Sequence, residues 1–434
     1  MAEINIIDLH EEILEKIIFH ASNRKIKELT EVCTKFNGVI GSSAKLMDKF
    51  VIVWKEVKFK DVKPLLLSKR KYRNIEIEEI GLNQDLVHFL NSHSSTLTEL
   101  SINNSSLSIF DCELIFKIVG DNILDLKLYG VNIWGEKETV PVNFPKMESL
   151  YLNATRHDKM SLIFNFFIGA NTDILIYRES RSLDEQEITA LSQMIASFHK
   201  LAVLDVGIFE LQLFENDFLT KNANFKLEIC NLLVFNVLYG RSEEFINRRY
   251  VHLLSFLKSQ RSNLNELNIT NLPITSDVIE CIHDLENLQD LTIHSYSSHF
   301  IQKPSKTNTS IKNLTIILDC TRVNPICEII SSCADIQHLT VVYSSFTFDL
   351  ALSIVNHLKN LQKIVFNKLI HIFPMTIPTV TSMDFIDIMN IDSIIRVLQV
   401  NRQLKFIKIP RILETHPKYE IAMDGLDLET LEFN

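Results

Sequence analysis

A six-residue pattern, apolar-x-x-Leu-x-apolar, recurs about every two dozen residues along most of this chain, and it limits the fold more than any other feature. It reads Leu97/Leu100/Ile102, Ile123/Leu126/Leu128 and Met147/Leu150/Leu152, then returns at Leu201/Leu204/Val206, Leu264/Leu267/Ile269 and Leu288/Leu291/Ile293. Later members are Ile311/Leu314/Ile316, Ile336/Leu339/Val341, Leu361/Ile364/Phe366, Val380/Met383/Phe385, Leu404/Ile407/Ile409 and Leu428/Leu431/Phe433. The middle positions fall at 75, 100, 126, 150, 174, 204, 227, 267, 291, 314, 339, 364, 383, 407 and 431, and only the steps of 30, 40 and 19 leave the range 23 to 26. An internal period of this length specifies a solenoid, in which each repeat contacts its neighbours and the stack presents one long face.

The spacing also assigns secondary structure. The second and third apolar residues lie two apart, so in a strand they point to one side, inward, while their neighbours point outward. Between strands come helix-spaced stretches, such as Phe110, Leu114, Ile115 and Ile118, or Leu350, Leu352, Ile354, Val355 and Leu358. One strand and one helix per repeat, with the strands parallel, predicts a curved α/β horseshoe.

These features resemble the leucine-rich-repeat family over residues 71–434. The asparagine that usually follows the strand is mostly missing, with Asn271 and Asn104 closest to it, which implies an irregular subtype. The 40-residue step predicts an irregular insertion near 231–262, with Arg248 and Arg249 as candidate contacts for an acidic partner. Residues 46–70 are expected to form a linker and an N-terminal cap of the solenoid.

Residues 1–45 do not repeat. Asp8 and Glu11 have capping-box spacing; Ile13, Leu14, Ile17 and Ile18 then form one apolar stripe, and Ile26, Leu29, Val32, Cys33 and Phe36 a second. Leu9-His10-Glu11-Glu12-Ile13-Leu14-Glu15-Lys16-Ile17-Ile18 is similar to the opening helix of the F-box. Leu29, Val32-Cys33 and Phe36 resemble its second half. His10 stands where that family has proline, and Ala21 where it has a larger apolar residue. The resemblance implies docking on a Skp-type adaptor and, through it, a cullin scaffold, with Leu9, Ile13, Leu14, Ile17 and Val32 as the candidate adaptor-binding residues, some of them facing the box's own core.

Composition excludes several classes. The net charge of −10 disfavours binding through phosphate neutralisation, so no nucleic-acid partner is expected. No run of about 18 apolar residues exists, so no membrane partner is expected, and the first residues lack the basic-then-apolar order of a secretory signal. The seven scattered cysteines read as reduced thiols. Localisation is accordingly expected to be cytoplasmic or nuclear.

No catalytic constellation emerges, and no cofactor or metal is expected. Gly130-x-x-x-x-Gly135 continues into Glu136-Lys137 rather than a phosphate-loop Gly-Lys-Ser/Thr, and Cys320, Cys327 and Cys333 lack zinc-ligand spacing. The histidines are spread singly; His88, His283 and His357 are expected on solvated helix faces or at repeat turns. What remains is the concave face, where Glu99, Asp125, Tyr129, Tyr151, Asp205, Glu266, Asp290 and His294 are the candidate substrate-binding residues. Together these readings predict a non-enzymatic substrate-recognition subunit of an SCF-type cullin ubiquitin ligase, its repeats holding an unidentified substrate protein. The alternative is a leucine-rich-repeat binding or inhibitor scaffold outside ubiquitin transfer.

Overall fold

The computed structural model describes residues 6, 9–55, 68, 70–79, 81–179, 181–208, 211–214, 218–234, 243–272, 274–295, 306–318, 324–342, 347–369, 372–388 and 390–433. They fall into two compact units. One comprises Met1–Glu179, Leu183–Leu201 and Ala223–Phe225; the other comprises Ser180–Ser182, Ala202–Asn222 and Lys226–Asn434.

The first unit opens with four helices: α1 (Glu11–Phe19), α2 (Asn23–Val32), α3 (Thr34–Ser42) and α4 (Ala44–Met47). Its main sheet is parallel, in the order β1 (Val51–Lys55), β2 (Asn74–Glu78), β3 (Glu99–Asn103), β5 (Asp125–Tyr129), β7 (Ser149–Asn153) and β8 (Ile174–Arg178). Short strands β4 (Ser106–Ser108) and β6 (Asn132–Trp134) pair separately. Helices α5 (Gln84–His93), α6 (Ile109–Val119), α7 (Met160–Asn165) and α8 (Glu185–Ser197) fill the connections. Strand β1 lies in the interval 46–70 assigned to linker and cap, with Ile52 and Trp54 taking the inward pair.

The second unit stacks ten further parallel strands: β9 (Val203–Ile208), β10 (Ile229–Val234), β11 (Glu266–Thr270), β12 (Asp290–Ser295), β13 (Asn313–Leu318), β14 (His338–Val342), β15 (Lys363–Asn367), β16 (Ser382–Ile386), β17 (Phe406–Ile409) and β18 (Thr430–Phe433). The long step before β11 contains a 17-residue helix, α10 (Glu243–Ser259), that follows the short α9 (Phe218–Asn222), so much of the expected insertion is an enlarged repeat helix. Residues 235–242 and the side chains of Arg248 and Arg249 lie outside the described set. The 19-residue step before β16 has no helix among its described residues, where Pro374 and Pro378 interrupt the chain. The remaining helices are α11 (Ser276–His283), α12 (Asn324–Ser332), α13 (Phe348–His357), α14 (Ile391–Val400) and α15 (Tyr419–Met423).

Three local devices repeat. First, the inward pairs are buried: Leu100, Ile102, Leu126, Leu128, Leu267, Ile269, Leu339 and Val341 are 0–2% exposed. Each such side chain contributes roughly 1.5–3 kcal/mol by leaving water. Second, two successive N–H groups at a strand entry share one carbonyl of the preceding repeat, as Leu124 and Asp125 do on Thr98, and Gln289 and Asp290 on Asn265.

Third, the residue just after a strand adopts a left-handed backbone. This holds at Glu79 (φ 56°), Asn104 (45°), Gly130 (60°), Ala154 (50°), Asn271 (63°), Lys368 (55°) and Asp387 (50°). The left-handed turn aims the N–H at a carbonyl at the end of the next strand: Asn104 donates to Tyr129 at 2.8 Å and Ala154 to Arg178 at 3.0 Å, the last residues of β5 and β8, and Asn271 to His294 at 2.8 Å, the last but one of β12. Helix starts are capped to match. Ser108 with Asp111, and Asp184 with Glu187, form complete capping boxes, while Asn83, Thr275, Thr347 and Asn390 each accept one backbone N–H.

Candidate protein-interaction surfaces

The four N-terminal helices close around a small apolar centre of Leu14, Ile18, Ile26, Phe36, Val39, Ile40 and Leu46, with Leu9, Leu29 and Cys33 packed at its margin. On α1, residues 14 and 18 lie on one face at i, i+4 spacing and turn inward. Ile13 and Ile17 occupy the next stripe and remain 48% and 46% exposed, and Val32 at the end of α2 is 65% exposed. Of the five residues assigned to adaptor docking, Leu14 is therefore corrected: it is fully buried in the unit's own core and has no surface to offer. Leu9 is half-buried, and its carbonyl accepts Lys35 Nζ at 2.9 Å. Helix α1 begins at Glu11 with His10 as N-cap and no side-chain cap, so Glu11 stands at the first helical position and not the third; Asp8 lies outside the described residues.

Tying α1 to α4 is a hydrogen bond from Ser43 Oγ to Glu15 Oε1 at 2.6 Å. Beside it a cleft of about 690 Å³ is lined by Glu12, Glu15, Lys16, Phe19, Lys45 and Lys49 among others. The Lys49 ammonium lies over the Phe19 ring, 4.3 Å from its centroid, and donates to the Phe19 carbonyl.

On the main sheet of the first unit, alternate residues are buried and the others look outward. Glu99, Asp125, Tyr129 and Tyr151 all take half-buried outward positions there. This face is internally paired. Lys127 bridges to Glu99 at 2.5 Å and lies 5.5 Å from the Tyr151 ring centroid. Asn103 donates to Glu76, Ser149 to Asp125, and Lys55 pairs with Glu78. Burial pulls the Lys127 pKa down, but the hydrogen bond and charge of Glu99 outweigh it and hold the ammonium above its ordinary value. Burial raises the Tyr129 phenol. Cross-strand opposite charges of this kind stabilise the sheet that carries them.

The second unit's outward face differs. Glu266, Asp290 and His294 are half-buried outward residues, as their spacing predicts. Asp205 is corrected: it is only 7% exposed and accepts Asn231 Nδ2 at 3.3 Å, so it belongs to the strand ladder and not to an open contact surface. Glu266 pairs in register with Asp290, and Asn268, Thr292, Thr315 and Thr340 follow one another on consecutive strands. The pairs Lys363–Asp384 (2.6 Å) and Lys408–Glu432 (3.5 Å) lie farther along.

The remaining candidates resolve into packing. Cys112, Cys230, Cys281 and Cys333 are buried, and burial pushes their thiols up to about 12; Cys327 is pushed to about 11. Such thiols are protonated and poor nucleophiles at neutral pH. Cys320 lies outside the described residues. Gly130 is the left-handed exit of β5, and β6 fills the interval before Gly135, leaving no phosphate-cradling loop there. His283 is 8% exposed where α11 ends and the turn to the next strand begins, whereas His88 and His357 are exposed on their helices. No helix among the described residues is long and apolar enough to cross a membrane.

No protein-family model matches the chain, and no curated protein does. Among solved structures, an internalin from Listeria monocytogenes aligns over 91% of this chain and 96% of its own, with 13% identity and a TM-score of 0.38. A TLR13–ssRNA13 complex aligns over 88% of this chain and 54% of its own, with 14% identity and a TM-score of 0.42.

Proposed function

We propose that this chain is the substrate-recognition subunit of an SCF-type cullin ubiquitin ligase. Its N-terminal helices dock a Skp-type adaptor and its repeats hold a substrate protein. The observation that carries this reading is the outer stripe of α1. A helical unit of some forty residues has completed its own core with Leu14, Ile18, Ile26 and Phe36, yet keeps Ile13 and Ile17 half-exposed one turn apart, with Val32 more exposed still. So small a unit has little apolar surface to spare, and aliphatic side chains left outside a finished core are what a partner subunit would cover.

The chain would perform no bond chemistry in this role. It would hold a lysine-bearing protein close to a charged conjugating enzyme, so that a bimolecular transfer proceeds at high effective concentration. Adaptor docking would rest on Ile13, Ile17 and Val32, with Leu9 at the margin. Substrate contact would rest on the outward sheet positions, among them Tyr129, Tyr151, Glu266, Asp290 and His294.

The test is co-expression of the full chain with a Skp-type adaptor, followed by co-purification, for wild type and for Ile13→Asp/Ile17→Asp. Wild type is expected to bring the adaptor down, and the double variant to lose it while keeping its circular dichroism. A wild-type chain that ignores the adaptor would leave the binding-scaffold reading in its place. A double variant that binds as well as wild type would show that α1 is not the docking face.

A further inference from the structure

The open face of the second unit differs chemically from that of the first, and the difference points to a kind of partner. On the first unit, Glu76, Glu78, Glu99 and Asp125 each have a cation, amide or hydroxyl from the same face. Among the described residues at the outward positions of β9 to β14 there is no lysine or arginine, while Glu266 and Asp290 stand side by side. Neither forms an ion pair with a described residue; Asp290 accepts only the neutral amide of Asn313, at 2.5 Å. Beside them the hydroxyls of Thr292, Thr315 and Thr340 form a column on three adjacent strands with no hydrogen bond among the described residues.

From this we infer that the face of β11 to β14 binds an extended protein segment carrying lysine or arginine side chains. The inference rests on the reading of the repeats as the partner-holding part of the chain, and names the kind of segment they hold. Adjacent strands lie about 4.8 Å apart, so the threonine column spans roughly 10 Å. An extended polypeptide rises about 3.3 Å per residue. Three residues laid across the strands therefore cover the column and bring backbone N–H and C=O groups over its hydroxyls. Threonine serves such a chain whichever group arrives, because its hydroxyl both donates and accepts. At the β11 end, the two carboxylates supply the charge that a cationic side chain needs, and no lysine or arginine among the described residues must be displaced first. A nucleic acid would meet the wrong sign here.

The test selects a displayed library of random dodecapeptides on the purified full chain, then measures synthetic versions of the winners by fluorescence anisotropy. Variants Glu266→Gln/Asp290→Asn and Thr292→Val/Thr315→Val/Thr340→Val remove the charge and the hydroxyls with little change of shape, and valine suits a strand. Winners are expected to carry an excess of lysine or arginine. Each variant is expected to weaken them about tenfold or more, the loss of a charge-assisted or multiple hydrogen-bond contact, with thermal unfolding unchanged. Ile13→Asp/Ile17→Asp should bind them as wild type does, so that failure of the adaptor assay and failure here are separate results. Winners without basic character, equal affinity for both face variants, or no enrichment over a selection on the triple-valine protein would each overturn the inference.

Discussion

At the scale of single residues, the left-handed strand exits separate those that fit their backbone from those that do not. Gly130 fits, and a Cβ there would come within 2.6 Å of Asn104 Oδ1. Ala154 holds φ 50° with a side chain that gains nothing from that conformation. A left-handed backbone costs an L-residue about 1–2 kcal/mol, partly offset by the extra unfolded-state freedom of glycine. Ala154→Gly should therefore raise stability by about 0.5–1 kcal/mol, seen as a higher urea midpoint at unchanged m-value, and Gly130→Ala should lower it. A lower midpoint for Ala154→Gly would refute the strain account.

Two buried histidines give the protein a pH dependence. His93 is 6% exposed, with ring centroids of Phe89 and Tyr72 at 4.6 and 5.2 Å, and its Nε2 has no hydrogen-bond partner among the described residues. Neither ring nitrogen of His283 has a hydrogen bond among the described residues. Burial lowers both pKa values, at His283 against the opposing charges of Glu280 and Asp284 and with Lys306 assisting. A lowered histidine pKa means that the unfolded chain takes up the proton first. Stability is then complete above the unfolded value of about 6.5 and is lost as pH falls below it. Urea titrations at pH 7.5 and 5.5 should show that loss, and His93→Phe should reduce it. An equal loss in the variant would remove His93 from the account.

At the scale of elements, α1 shows why a wide apolar stripe is ambiguous in sequence. Ile13, Leu14, Ile17 and Ile18 span more of the helix than one packing face needs. The sequence shows the excess but not which half goes inside; that depends on where α3 and α4 lie. The structure puts Leu14 and Ile18 inside. Leu14→Ala should accordingly cost about 2–5 kcal/mol, whereas Ile17→Ala should change stability by about 0.5 kcal/mol or less; differential scanning calorimetry separates them. Near-equal costs would mean that α1 is rotated from the orientation described. The strands were easier to read, because a period of two leaves only two faces and the buried one is marked by Leu, Ile, Val and Phe. Strand β1 escaped because Lys49 stands at the first position of the pattern, where most other members carry an apolar residue ahead of the pair that Ile52 and Trp54 supply here. Of the left-handed exits, Asn104, Gly130, Asn271 and Asp387 carry residue types that favour that backbone, while Glu79, Ala154 and Lys368 do not. The burial of Asp205 was not legible either, since it depends on Asn231 arriving from the next strand.

At the scale of the whole molecule, stability is shared between neighbours. Within each unit every strand meets the next in the same register, first residue opposite first, as in Lys363 opposite His338 and Ser382 opposite Lys363. Phe366 is fully buried and stacks on Phe385 with centroids 5.5 Å apart. Phe366→Ala should cost about 3–5 kcal/mol, and the loss should spread to the adjoining repeats before distant ones. Hydrogen exchange should then quicken in β14 to β16 while β9 and β10 keep their protection. Uniform quickening over the second unit would show that its repeats unfold together. The unvarying register also bears on how such a chain can change its length. A cut made from one point in a repeat to the matching point in the next leaves every remaining rung facing the rung it would have chosen, whereas a shorter excision turns greasy side chains to water from there onward. Whole-module deletions should be survived more often than trimmed ones, and the chain's history of growth and shrinkage would be written in units of one turn of the coil.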